Sequence, residues 1–286
     1  MPLSSSLVGT TTEPAEHRVD ARWLMAYAAG LGESDACYYD TSSPLAMHPV
    51  FPVCVEWDSI LALRLGPGAA GMSAAEQARA VHADHDLHLL SPLEGDTVLR
   101  TTATAVAIER RKPGAYLLKR LDSVDARGRL VFRTWQGTLY RDVDVVGPDR
   151  RLEPAPAWPA APVAAVAGEV EQITVPLQAA HVYTECARIW NPIHTDLAHA
   201  RAAGLPGLIL HGTATLALAV SRLVQTRLAG DPARVRRIGG RFSGMVEMPT
   251  SLRLNTCNPS PGLLAWSVST PDGRPAIGRA YLEYAS

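Results

Sequence analysis

Residues 211–224 read HGTATLALAVSRLV, and the spacing of their apolar side chains predicts a helix. Leu216, Val220, Leu223 and Val224 fall at i, i+4, i+7 and i+8, while Ala214, Ala217 and Ala219 leave room for a strand surface to approach closely. Such a helix is meant to be buried all round. The strand candidates TVLRTTATAVAI (97–108) and AYLLKRLDSV (115–124) carry Thr, Val and Leu in partial alternation, with Arg100, Lys119 and Arg120 as solvent-facing positions. A long, strongly curved antiparallel sheet wrapped around a central helix satisfies both patterns. The expected class is α+β.

The same order of features occurs twice, which is how an internal repeat announces itself. Tyr27 opens YAAGLGE and Tyr183 opens YTECARI; further on come the helix-like runs VCVEWDSILALRL from Val53 and HGTATLALAVSRLV from His211. LSPLEGDTVLR (90–100) then parallels SGMVEMPTSLR (243–253), and DARGRLVFRTWQGTLYR from Asp125 parallels PDGRPAIGRAYLEYA from Pro271. Each of these pairs carries a turn signal between strand candidates. Between the halves, GPDRRLEPAPAWPAAPVAAVAG contains five prolines, which remove backbone donors and favour extended chain. The expected organisation is an N-terminal domain at 1–147, a Pro/Ala-rich linker at 148–168 and a C-terminal domain at 169–286.

Composition narrows the functional classes. A net charge of −1 with 47% hydrophobic and 19% charged residues fits a globular chain with a sizeable core and argues against a nucleic-acid partner. The four cysteines Cys37, Cys54, Cys186 and Cys257 form no CxxC pair, and the first 18 residues lack a basic start and an apolar core. A reduced cytoplasmic setting is expected. No membrane association is expected, because no apolar run reaches the roughly 18 residues that cross a bilayer.

Chemistry concentrates in YTECARIWNPIHTD (183–196), where Asn191, Pro192 and His194 stand together. NPIHTD, then AHARAAGLPGLILHG, then GRFSGMVEMPTSLRL resemble the MaoC-like, hydratase 2 branch of the hot-dog fold, the (R)-specific enoyl-CoA hydratases and related dehydratases. The resemblance spans nearly the whole chain and implies a double hot-dog. In such chains the catalytic motif lies in the C-terminal half, and the N-terminal half helps to house the acyl chain. The family motif, Ser-Gly-Asp-x-Asn-Pro-(aliphatic)-His, falls on Ala187, Arg188, Ile189, Trp190, Asn191, Pro192, Ile193 and His194. Its second half is intact. In its first half the catalytic Asp has become Ile189.

Adding water to a double bond conjugated with a thioester needs a base for the water, an acid for the α-carbon and donors for the enolate oxygen. The resemblance implies His194 as the surviving acid–base group and Asn191 as its orienter. Gly212 and Thr213, at the start of the central helix, are candidate enolate donors, since backbone N–H groups and the helix dipole favour negative charge there. Trp190 and Arg241 are candidate substrate contacts. Arg241 belongs to a basic run with Arg234, Arg236 and Arg237, which fits either a solvated strand edge or the phosphates of coenzyme A.

Glu185 and Asp35, with Glu33, are candidates to replace the missing carboxylate. His211 is expected to support the helix entry, Asp196 to cap a short helix, and Cys186 to pack as a small apolar residue. In HADHDLH the alternation of His82, His85 and His88 with Asp84 and Asp86 would put three histidines on one strand face. A polar strand explains them, and no metal site or cofactor is assigned. The expected activity is that of a lyase acting on an acyl thioester of coenzyme A or acyl carrier protein. The alternative is a catalytically silent hot-dog protein that binds acyl thioesters or a partner subunit. A thioesterase is a third option, disfavoured because HGTATLALAV offers no carboxylate. Exposed sheet edges would suit pairing into a homodimer.

Overall fold

The computed structural model describes residues 2–66, 72–93, 95–160 and 168–285. The first half runs β1 (Leu3–Ser4), β2 (Ala15–Val19), α1 (Ala21–Gly30), α2 (Pro52–Leu65), α3 (Ala74–Gln77), β3 (Ala80–Leu89), β4 (Thr97–Arg111), β5 (Gly114–Val124), β6 (Leu130–Arg141), β7 (Val145–Val146) and β8 (Arg150–Arg151). The second runs β9 (Glu169–Val175), α4 (Ala179–Ala187), α5 (Leu197–Ala202), α6 (Gly212–Arg227), β10 (Val235–Phe242), β11 (Thr250–Ser260), β12 (Leu263–Ser269) and β13 (Pro275–Tyr284). Strand order is β2–β4–β5–β6–β3 in the first half and β9–β11–β12–β13–β10 in the second. One order maps onto the other element by element, so the repeat read in the sequence is a repeat of topology. Of the Pro/Ala-rich segment 148–168, residues 161–167 lie outside those described, and β8 within it pairs with β4.

The chain forms two compact units. Unit 1 comprises Met1–His17, Val55–Ser91 and Val98–Trp158; unit 2 comprises Arg18–Cys54, Pro92–Thr97 and Pro159–Ser286. Residues 18–54 therefore cluster with the C-terminal part of the chain. Their anchor is α1 against α4. The Trp23 indole N–H donates to the Cys186 carbonyl at 3.0 Å, and a Cβ on Gly30 would lie 2.8 Å from the Cys186 Cβ. Only glycine allows that approach.

In unit 2, α6 buries Ala214, Leu216, Ala217, Ala219, Val220, Leu223 and Val224, as the spacing predicts. Its last turns are amphipathic instead: Arg222 and Thr226 bind the Glu171 carboxylate of β9 at 2.8 and 3.1 Å. In unit 1, Glu56, Ser59 and Leu63 fall at i, i+3 and i+7 of α2 and are all buried. The Ser59 hydroxyl donates to the Thr101 carbonyl of β4 at 2.7 Å.

Two expectations for unit 1 need correction. Lys119 is not solvent-facing; it is 3% exposed, on the same face of β5 as the core residues Leu117 and Leu121. Adjacent residues of a strand point to opposite faces, so Lys119 and Arg120 cannot both face water. Nor do the three histidines of β3 share a face. A bulge between His82 and Asp84 brings His82 and His85 to one side, opposite Thr138 and Gln136, while His88 packs against Trp135 on the other. Among the described residues no group of three or more His, Cys, Asp or Glu is arranged to hold a metal ion. No helix of the described residues is long and apolar enough to cross a membrane.

Candidate functional site

α4 ends because Arg188 takes a left-handed backbone, φ 58° and ψ 36°, that cannot continue a right-handed helix. This is where the hydratase 2 motif carries glycine, the residue that adopts such a conformation without strain. Arg188 compensates by laying its guanidinium 3.9 Å from the centre of the Trp23 ring. Ile189 turns inward, 5% exposed, and its N–H donates to the Thr184 carbonyl at 3.1 Å. The chain then makes a short 3-10 turn, Pro192–His194, with Pro192 at its first position and the Asn191 backbone extended before it. Asp196 caps α5 by accepting from the Ala198 N–H at 2.8 Å.

That turn delivers His194 to the start of α6. Its Nδ1 lies 2.9 Å from the Ile209 carbonyl. A carbonyl only accepts, so Nδ1 carries the proton and Nε2 keeps its lone pair. The ring stacks on His211, the N-cap residue of α6, with centroids 3.7 Å apart. Burial lowers the His194 pKa to about 4, opposed by the Ile209 hydrogen bond. Burial, and secondly His194, hold His211 well below the usual histidine value, opposed by the Ile189 carbonyl. Both rings are neutral at physiological pH. His211 Nε2 is 3.2 Å from the Thr184 hydroxyl, and the Tyr183 hydroxyl lies 3.4 Å from that of Tyr27. Burial raises both phenols, so they act only as neutral donors or acceptors.

The other sequence candidates fall in different places. Gly212 and Thr213 are half-buried at the first turn of α6; a Cβ on Gly212 would meet the Phe242 ring at 3.2 Å, so the glycine admits that ring. Trp190 is exposed, at 58%. Arg241 is exposed on β10. Of its neighbours, Arg237 pairs with Glu283 at 3.4 Å, and Arg234 donates to the Ala285 carbonyl at 2.9 Å. Glu185 projects from the exposed side of α4, away from the buried row Ala180, Tyr183, Thr184 and Ala187. Asp35 lines a cleft with Gln225, Ala229 and Gly230 at the C-terminal end of α6, a helix of 16 residues. At about 1.5 Å per residue it stands roughly 20 Å from the His194 end.

Residues 33–48 form a second polar cluster in unit 2. His48 Nε2 is 3.1 Å from the Ser221 hydroxyl and 3.9 Å from Glu33 Oε1, and Gln225 donates to Glu33 Oε2 at 3.2 Å. The Val50 N–H donates to His48 Nδ1 at 3.1 Å, so both ring nitrogens are committed and His48 cannot act as a base. The interval between Tyr27 and Tyr183 is 156 positions. Carried forward, it pairs Glu33 with Ile189, Asp35 with Asn191 and Tyr38 with His194, and the 3-10 turns Ala36–Tyr38 and Pro192–His194 coincide. The first repeat keeps an acid where the second has isoleucine, and the second keeps the imidazole.

Residues 162–258 match the family described as the MaoC like domain. The chain is 43% identical over 53 residues to the peroxisomal enoyl-CoA hydratase 2 of Arabidopsis thaliana, covering 18% of this chain and 17% of that protein. It is 25% identical over 287 residues to the peroxisomal multifunctional enzyme type 2 of Drosophila melanogaster, covering 93% of this chain and 46% of that one. The chain thus spans less than half the length of either relative. Among solved structures, the MaoC-like dehydratase of Phytophthora capsici superposes with a TM-score of 0.79 at 20% identity over 96% of each chain. A Mycobacterium tuberculosis protein described as a double hotdog fold superposes with a TM-score of 0.62 at 16% identity, over 96% of this chain and 95% of that one. The α+β architecture is therefore that of a double hot-dog, and His194 lies inside the matched segment.

Proposed function

We propose that the protein is a hydro-lyase that adds water to, or removes it from, an acyl thioester carried by coenzyme A or an acyl carrier protein. The observation that carries this is the fixed tautomer of His194 at the N-terminus of α6. A neutral imidazole with Nε2 free to accept can take a proton from water as its oxygen bonds to the β-carbon. The imidazolium so formed, disfavoured by burial against His211, returns that proton to the α-carbon as the enolate collapses. One imidazole thus serves as base and then acid, and the proton count closes without a second carboxylate. The N–H groups of Gly212 and Thr213 are the donors for the enolate oxygen, and Asn191 orients the turn. Trp190 and Arg241 are assigned to the outer part of the thioester. Acyl-chain housing is assigned to residues 1–147, catalysis to 169–286, and the working unit to a homodimer.

The buried Ile189 favours a second reading, a silent double hot-dog that binds acyl thioesters or a partner without turnover, because neither Glu185 nor Asp35 stands beside His194. Incubating the purified protein with a panel of enoyl- and 3-hydroxyacyl-CoAs, while following the conjugated enoyl absorbance, separates the two. Turnover of any member establishes the lyase. Binding of the panel without absorbance change establishes the silent protein.

A further inference from the structure

Across β3, β6 and β5 of unit 1, His85, Gln136 and Lys119 stand side by side in one rung, His85 opposite Gln136 and Gln136 opposite Lys119. They share the face packed beneath α2, where Leu63, Leu117 and Leu121 form the apolar surroundings. All three are nine-tenths or more buried. Lys119 donates to the Thr138 hydroxyl at 2.6 Å, one acceptor for three N–H groups. Neither ring nitrogen of His85 has a partner, nor does Oε1 of Gln136. Such groups are hydrogen-bonded in folded proteins, because desolvating them without a partner is costly. Burial lowers His85 to about 4 against the pull of Asp86, so its ring is neutral and Lys119 is the rung's cation. Arg64 of α2 acts on Lys119, and Lys119 and His85 both act on His82. Burial first, and Arg64 second, lower Lys119 to about 7.

We propose that this rung is a binding site for a small 2-hydroxy carboxylate. The donor and acceptor accounting selects the class. Two ammonium N–H groups of Lys119 and one N–H of His85 call for acceptors, which a carboxylate supplies with charge to match. Gln136 Oε1 and the second nitrogen of His85 call for donors, which a carboxylate lacks and an adjacent hydroxyl provides. No covalent step is involved. The site lies wholly in unit 1 and does not depend on the chemistry assigned to His194.

Calorimetric titration of the full chain with glycolate tests it, with acetate and chloride at equal ionic strength as comparison. Saturable one-to-one binding of glycolate, at least about fivefold tighter than acetate, is expected, together with a rise in melting temperature. Lys119→Met, which removes a buried charge at similar volume, should stay folded and lose both the heat and the thermal shift. His194→Ala should bind glycolate unchanged. Absence of saturation, equal affinity for glycolate and acetate, or unchanged binding by folded Lys119→Met would each overturn the assignment, as would a crystal soaked in glycolate that shows only ordered water in the rung.

Discussion

His194 and His211 stack with ring centroids 3.7 Å apart and planes 27° from parallel, so the two buried imidazoles share one desolvated space at the start of α6. Burial disfavours a charge on His194, and burial together with the neighbouring His194 disfavours one on His211. The pair is held in the neutral form that a general base requires.

His194→Ala is expected to lower kcat/KM by at least about 100-fold while circular dichroism is unchanged. Because His194 is lowered to about 4, the wild-type kcat/KM should stay level from pH 8 to about 5 and fall only near pH 4. Stability has the same sign. Both histidines sit below their ordinary 6.5, so their contribution is complete above pH 6.5 and is lost as pH falls towards 4. Urea melts across this range measure it. A kcat/KM that drops around pH 6.5 would exclude His194 as the base.

Ile189→Asp returns a carboxylate to the position beside the His194 turn. We expect a cost of about 2–4 kcal/mol at pH 8, smaller at pH 4 where the acid is neutral, because the site is buried. In the folded fraction, crotonyl-CoA hydration should rise at least about tenfold, since two groups then share the proton transfers. A folded variant slower than its parent would mean that the apolar wall is itself required.

Arg188 occupies a left-handed position and stacks on Trp23. Arg188→Gly relieves the backbone and loses the stacking; Arg188→Ala loses the stacking and keeps the strain. Thermal melts should therefore place Arg188→Gly above Arg188→Ala by about 1 kcal/mol. The reverse order would place the backbone cost elsewhere.

Glu56, buried on α2 and accepting from the Thr134 hydroxyl, is raised by burial to about 7 from an ordinary 4.5. A raised acid favours the folded state when protonated, so that stability is present below pH 4.5 and is lost as pH climbs to 7. Glu56→Gln should remove this slope and stabilise the protein at pH 8 by about 1–3 kcal/mol. Parallel denaturation curves at pH 5 and 8 for both proteins decide it.

Much of this was legible in the chain itself. The i, i+4, i+7 pattern of Leu216, Val220 and Leu223 gave α6, and the parallel between Tyr27 and Tyr183 gave the repeat. The same 156-residue interval sets Glu33 against Ile189. Lys119 reads as solvent-facing by its charge alone, whereas the parity of β5 sets it on the core face with Leu117 and Leu121. The bulge beside His82 and the stacking of His194 on His211 left no local signature, since both arise from tertiary pairing. The distance of Asp35 from His194 likewise follows from which end of α6 its loop reaches.

The seating of α1 on α4 bears on how the chain is made. Trp23 and Cys186 are 163 residues apart. At about 5–20 residues per second, a ribosome needs roughly 10–30 s to produce the second after the first. Throughout that interval Trp23, Tyr27 and Phe51, all buried in the finished protein, have no completed unit 2 to enter. Until then the segment 18–54 is an apolar surface without its packing partner. Its docking depends on long-range contacts, so slow, late folding of unit 2 is built into the order of the sequence.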